Sequence, residues 1–134
     1  MNSTRNLFHV DVFASGPLSG NGLTVFLDTD GWTTDVMQRL TEEMRQFESI
    51  FLSSISDAGA TARVFTLEEE LPFAGHPILG AAAVLHRTRR PDDTICKWAI
   101  DLPVGNVEVS TELRPHSILC EMDQGAARFL RSVE

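Results

Sequence analysis

The chain has 134 residues, 43% of them hydrophobic and 22% charged, and its 19 acidic against 11 basic residues give a formal net charge of -8. That is enough apolar material for one buried core and too even a mixture for a disordered tail, a collagen or a disulfide knot. No run approaches the roughly 20 apolar residues of a membrane-spanning helix, and a pI near 4.9 works against nucleic acid, which draws on clustered Lys and Arg, so neither partner is expected.

In chain order, Leu7 to Phe13 alternates Phe8, Val10 and Val12 with His9 and Asp11, the period-two signature of a strand with His9 and Asp11 facing outward. The turn-rich stretch from Ser15 to Gly22 then leads into a second strand, Leu23 to Leu27. From Thr34 the period changes. Val36, Met37, Leu40, Met44 and Phe47 recur at spacings of three and four among polar residues, which predicts an amphipathic helix capped by Thr33 or Thr34 and ending near Phe47. Asp35 falls in its first turn, where negative charge is favoured. Glu48 follows at the junction with a strand over Ser49 to Ser53, and a further strand from Thr61 to Leu67 runs into the acidic triplet Glu68, Glu69 and Glu70.

Leu71-Pro72-Phe73-Ala74-Gly75-His76-Pro77 introduces Ile78 to His86, which is nearly all apolar and so predicts a helix enclosed on every side. Pro77 suits its first turn, Gly75 and His76 its start, and Ala81 to Ala83 let other backbone come close. Arg87, Arg89 and Arg90 read as the solvated end of that helix, where cations complement the dipole. Strands over Thr94 to Asp101, Gly105 to Ser110 and Ser117 to Met122 complete a count of about seven strands and two helices. The expectation is one compact unit of the α/β (α+β) class, undivided by any linker. Cys96 and Cys120 stand apart, with no second cysteine or histidine at ligand spacing, so no metal site is expected. No secretory hydrophobic stretch opens the chain, which predicts a cytoplasmic protein with reduced thiols buried in strands.

Two places carry chemistry. The backbone amides and positive dipole end at the start of the Pro77 helix make a seat for a substrate carboxylate, though any buried helix must satisfy those amides somehow. His76 beside them is either a proton donor or a capping and packing residue. Glu48, between an amphipathic helix and an apolar strand, is either a solvent-facing glutamate or a partly desolvated one, whose raised pKa would suit a general acid or base. Gly20-Asn21-Gly22 reads by itself as a hairpin turn. No nucleophile elbow, phosphate loop or paired metal carboxylates are present, and no cofactor is called for.

Taken together, Val10-Asp11-Val12-Phe13, the Gly20-Asn21 loop before a Val-Phe strand, Glu43-Met44 ahead of Glu48, and Glu70-Leu71-Pro72-Phe73-Ala74-Gly75-His76-Pro77 form an ordered set. This set resembles the phenazine-biosynthesis isomerase (PhzF-like) family of the diaminopimelate-epimerase fold. The resemblance covers essentially the whole chain but the first half of a usual family member. It implies a diaminopimelate-epimerase-like domain, a curved and mostly antiparallel sheet wrapped around a central hydrophobic helix, with the site in a cleft between two such domains. It also implies a cofactor-independent isomerase or epimerase of a small carboxylic or amino-acid-derived metabolite. In that chemistry Glu48 takes a proton from one carbon and returns it to another and His76 assists, while Gly75, Pro77, Asn21 and Gly20 border the substrate.

Three departures from the family pattern stand out. Phe47 occupies the place of a serine before the catalytic glutamate, Gly22 replaces the proline of Gly-Asn-Pro, and the 134 residues correspond to the first half of the pattern only. The second half supplies an aspartate in a Glu-Asp-Pro-x-x-Gly motif, where the corresponding stretch of this chain carries Leu71. The expectation is therefore a half-length isomerase whose cleft is completed by a second chain, as a homodimer or as a heterodimer with a homologous half. The alternatives are a non-catalytic ligand-binding or partner subunit that retains the fold, and an excised domain of a longer enzyme.

Overall fold

The computed structural model describes residues 7–13, 21–45, 48–124 and 127–133. In chain order the elements are β1 (Leu7–Phe13), β2 (Asn21–Phe26), α1 (Thr34–Met44), β3 (Glu48–Ser53), β4 (Gly59–Thr66), β5 (Glu70–Leu71), α2 (Gly75–Arg89), β6 (Ile95–Leu102), β7 (Gly105–Leu113), β8 (Ile118–Gln124) and β9 (Ala127–Val133). The strands form one sheet in the order β3-β2-β1-β9-β8-β7-β6-β4-β5, and β3 also pairs with β4, so the sheet comes round on itself. Among the described residues, only β2 with β3 and β4 with β6 run parallel.

The two helices solve opposite burial problems. α2 runs inside the curled sheet and is buried continuously from Pro77 to His86, which is why its sequence has no polar stripe. It packs on β1 to β4 and on β6 to β9, with Ile50, Leu52, Val64, Trp98, Ile100, Val109 and Met122 among the surrounding core. α1 lies outside, where a second cluster of Phe26, Met37, Phe51 and Phe65 fills the space beneath it, with Trp32, Leu40 and Met44 at the edge. Phe26 and Phe51 stack at 4.5 Å, and Trp32 meets both edge-on at 6.1 Å.

The strand and helix types agree with the sequence reading, and several limits differ. Thr33 is the cap of α1, its hydroxyl accepting from the Val36 N–H at 3.2 Å. The helix ends at Met44 because Arg45 adopts a left-handed conformation with φ 54°, which no α-helix can continue. Phe47 lies outside the described residues. α2 starts at Gly75, three residues before the predicted apolar run, and β2 starts at Asn21. Gly22 is therefore a ladder residue paired with Asp11, not part of a turn. The described residues hold nine strands against the expected seven, the additions being the two-residue β5 and β9. His9 and Asp11 are exposed as expected, but Phe8 is 38% exposed despite sharing the inner face with Val10 and Val12.

Two close approaches fix how tightly the sheet closes. Gly59 pairs with Ala99 where β4 meets β6, and a Cβ there would strike the Ala99 carbonyl oxygen, a backbone atom that cannot rotate away. Gly59→Ala is expected to destabilise the chain by about 2–3 kcal/mol, the range for overpacking that forces backbone apart, measured as a shift in urea midpoint with unchanged slope. On α2, a Cβ at Gly80 would strike Leu23 Cδ2 and lie 3.2 Å from Val10 Cγ2, so the bare helix face at Gly80 is what lets β1 and β2 come in.

Both cysteines are free and buried in strands. Burial pushes the Cys120 thiol up to about 12, and its Sγ lies 3.5 Å from the Leu79 carbonyl oxygen. Burial is also the chief cause of the upward shift at Cys96. Thiolate is the reactive form, so the native chain is expected to take up no thiol reagent at pH 8 and two equivalents once unfolded in guanidinium, read by absorbance.

Candidate active site

Glu48 opens β3, with Leu23 beside it on β2 and Thr66 beside it on β4. Side chains alternate along a strand, so Glu48 shares a face with Ile50 and Leu52, which are fully buried against the inner cluster around α2. The strand therefore aims this carboxyl at the inside of the curled sheet. Leu23, one strand away, packs on Gly80, and Gly80 lies about 7–8 Å along the axis from Gly75 at a rise of about 1.5 Å per residue. Glu48 is thus one strand away from the residue that packs on Gly80 of α2.

The surroundings of Glu48 are apolar or already engaged. Thr66 spends its hydroxyl on a tight turn, accepting from the Glu68 and Glu69 N–H groups at 3.2 and 3.1 Å and donating to the Glu69 carbonyl at 3.1 Å. Its own carbonyl accepts from Gln38 Nε2 at 2.9 Å. Among the described residues the half-buried Glu48 carboxyl has no hydrogen bond or ion pair, and burial alone raises its pKa from the ordinary glutamate value.

α2 starts at Gly75. Ala74 occupies the cap position with extended backbone and offers no side-chain hydrogen bond, and no acidic residue follows in the first turn. Neither the cap residue nor the first turn of α2 supplies a side-chain anion to the positive end of the helix dipole. Gly75 and His76 are half-buried there and Pro77 is buried. A Cβ on Gly75 would meet Met122 Cε at 3.4 Å, ordinary contact, so this glycine is not demanded by packing.

Of the residues singled out from the sequence, Gly75, His76 and Pro77 lie at the start of α2, and Glu48 stands on the strand face that packs around that helix. Asn21 begins β2, two residues before Leu23, on a backbone position opposite Val12. Gly20 lies outside the described residues. Among the described residues no group of three or more His, Cys, Asp and Glu side chains is placed to hold a metal ion, and no helix is long and apolar enough to cross a membrane. Sequence reasoning missed Arg63, whose pairing with Glu70 depends on strand register, and Thr66, whose place beside Glu48 does so too although its hydroxyl bonds are local.

The sequence profile of the phenazine biosynthesis-like proteins (PhzC-PhzF) matches residues 10–129. A trans-2,3-dihydro-3-hydroxyanthranilate isomerase of Pseudomonas aeruginosa is 38% identical over 117 residues, which is 86% of this chain and 41% of the relative. The isomerase of the same description from Pseudomonas chlororaphis is 48% identical over 77 residues, 57% of this chain and 28% of the relative. Among solved structures, a predicted epimerase from Pseudomonas aeruginosa superposes with a TM-score of 0.83 at 47% identity, covering 91% of this chain and 43% of the other. A hydroxyproline epimerase from Agrobacterium vitis, at 14% identity and a TM-score of 0.60 over 85% of this chain and 40% of its own, shares the fold. The chain spans about two fifths of the length of the first of these isomerases and of both solved structures. With residues 10–129 of its 134 matched by the family profile, the chain belongs to the phenazine biosynthesis-like (PhzC-PhzF) family.

Proposed function

We propose that this lobe carries the proton-transferring half of a cofactor-independent isomerase acting on a small carboxylic or amino-acid-derived metabolite, by double-bond shift or epimerisation. The observation that supports it best is the Glu48 carboxyl: directed inward, half-buried, without a partner among the described residues, and with its proton affinity raised by burial. A base of that kind is stronger than an exposed glutamate, and once protonated it becomes a competent acid. The uncapped start of α2 takes the substrate carboxylate through its amides and dipole. His76 donates to the same group or to the reacting system, and Gly75 lets the ligand approach the backbone closely. The family resemblance gives Asn21 and Gly20 a part in binding the substrate.

One lobe leaves half of a bound molecule in water, whereas abstracting a proton from carbon needs a dry, ordered site. A second chain, a copy of this one or a homologous half, completes the cleft. The test uses trans-2,3-dihydro-3-hydroxyanthranilate, the compound in the relatives' description, in D2O, with solution mass measured alongside. Expected are an oligomer, deuterium at the isomerised carbon by NMR, and a rate per chain that rises with chain concentration. A strict monomer that binds the compound without exchanging a proton would reject this reading in favour of a ligand-binding lobe.

A further inference from the structure

The segment from Glu70 to His76 joins the sheet through a short ladder and packs Phe73 and Ala74 on the inner core. β5 is two residues long, its ladder to β4 consisting of Val64 with Leu71 and Phe65 with Glu70, and Ala74 gives α2 no side-chain cap. Pro72 between them is exposed. Yet this segment determines where α2 opens, and so where His76 stands relative to Glu48.

On the outer face of the sheet, behind the segment, Arg63 forks onto Glu70. Nε donates to Oε2 and Nη2 to Oε1, both at 2.8 Å. The same Nη2 donates at 2.8 Å to the hydroxyl of Thr34, the first residue of α1, and the guanidinium lies over the Phe65 ring at 5.5 Å. The pair is three-quarters to two-thirds buried at its side chains, with 32% of Arg63 and 26% of Glu70 exposed. A planar fork fixes direction as well as distance, because both hydrogen bonds must lie in one plane. Three elements meet in it, and all three border the site: β4 carries Thr66, the neighbour of Glu48, β5 leads to His76, and α1 carries Gln38, which holds the Thr66 carbonyl.

We infer that Arg63, Glu70 and Thr34 form a clamp that fixes the start of α2 against the β3–β4 hairpin, making Glu70 a positioning residue for the reaction proposed above. Glu70 sits on the opposite face of the sheet from the site and touches no substrate. Its loss lets β5 and the residues up to His76 drift while the inner core, which does not involve it, stays intact. The consequence for catalysis rests on the reading of Glu48 and His76, whereas the consequence for the segment does not.

The experiment separates the two. Amide hydrogen exchange is followed in the whole chain for wild type, Glu70→Gln, Arg63→Lys and the exchanged pair Arg63→Glu with Glu70→Arg. In Glu70→Gln, exchange of residues 71–77 is expected to rise at least about tenfold while β6 and β7 keep their protection, as for a local opening. Arg63→Lys keeps the charge but not the fork and is expected to fall between, and the exchanged pair to recover part of the protection. Where isomerisation of trans-2,3-dihydro-3-hydroxyanthranilate is measurable, kcat is expected to fall about tenfold or more in Glu70→Gln with KM within about twofold, since misplacement by an ångström acts on the chemical step. Unchanged exchange at 71–77 in Glu70→Gln overturns the clamp whatever the activity. Raised exchange with unchanged kcat overturns the positioning role. Raised exchange in a chain that shows no turnover even as wild type upholds the clamp and counts against the isomerase reading alone.

Discussion

Glu48→Gln is expected to stop proton transfer and, at neutral pH, to make the fold more stable. The catalytic loss follows from removing the only proposed base, and general acid–base catalysis by a positioned carboxyl is worth about 10²- to 10⁴-fold. The gain in stability follows from burial, which raises the carboxyl above its ordinary range, so that the folded chain holds this proton more tightly than the unfolded chain. Stability then declines as pH climbs from the ordinary glutamate range through the raised value, and the cost is complete above it. Glutamine carries no charge to desolvate. Thermal midpoints measured from pH 3 to pH 8 are expected to coincide for the two proteins below about pH 4, the ordinary glutamate range, and to diverge in favour of Glu48→Gln at higher pH. A variant that is less stable at pH 7 would mean that the carboxylate has a stabilising partner. Turnover that survives would place the base elsewhere.

Thr111→Val is expected to cost more stability than any exposed substitution in the chain, although it keeps volume and shape. The Thr111 hydroxyl is the centre of a buried chain of hydrogen bonds at the far end of α2. The Trp98 indole N–H donates to it at 3.0 Å, and it lies 2.6 Å from His86 Nδ1. The other ring nitrogen, Nε2, is 2.6 Å from the Asp93 carbonyl. A carbonyl only accepts, so Nε2 carries a proton, and every group is satisfied when Thr111 accepts from Trp98 and donates to Nδ1. His86 and Trp98 are fully buried and Thr111 is 1% exposed, so valine leaves two polar groups without partners away from water. At about 1–3 kcal/mol for each orphaned group, the loss is about 2–6 kcal/mol, read as a lowered urea midpoint. Thr111→Ser keeps the hydroxyl and is expected to recover most of it. Equal losses in the two variants would show that the methyl group and not the hydrogen bonds matters. His86 appears from sequence alone as the last residue of a greasy helix. In the structure it ties that helix to β7 and to the turn before β6.

Periodicity carries much of this architecture. The alternation in Leu7–Phe13 and the three-and-four spacing of Met37, Leu40 and Met44 are set by the geometry of each element, so they are legible one segment at a time. The apolar run of α2 likewise announces an enclosed helix, because water tolerates such a surface nowhere else. Boundaries are less legible. Arg45 ends α1 through a left-handed backbone that arginine does not advertise, and β5 persists at two residues with Arg63 reaching it from β4.

The amino-acid sequence by itself determined the kinds of element, the identity of the inner helix and, through the Leu71-to-Pro77 stretch and Glu48, the family resemblance. Each of these depends on neighbours close along the chain. Only the tertiary structure decided that Glu48 faces inward without a partner among the described residues. That outcome depends on the parallel register of β3 with β2 and on Thr66 being engaged in its own turn. The environment of a side chain is set by strands brought together from distant positions, and no local pattern encodes their register.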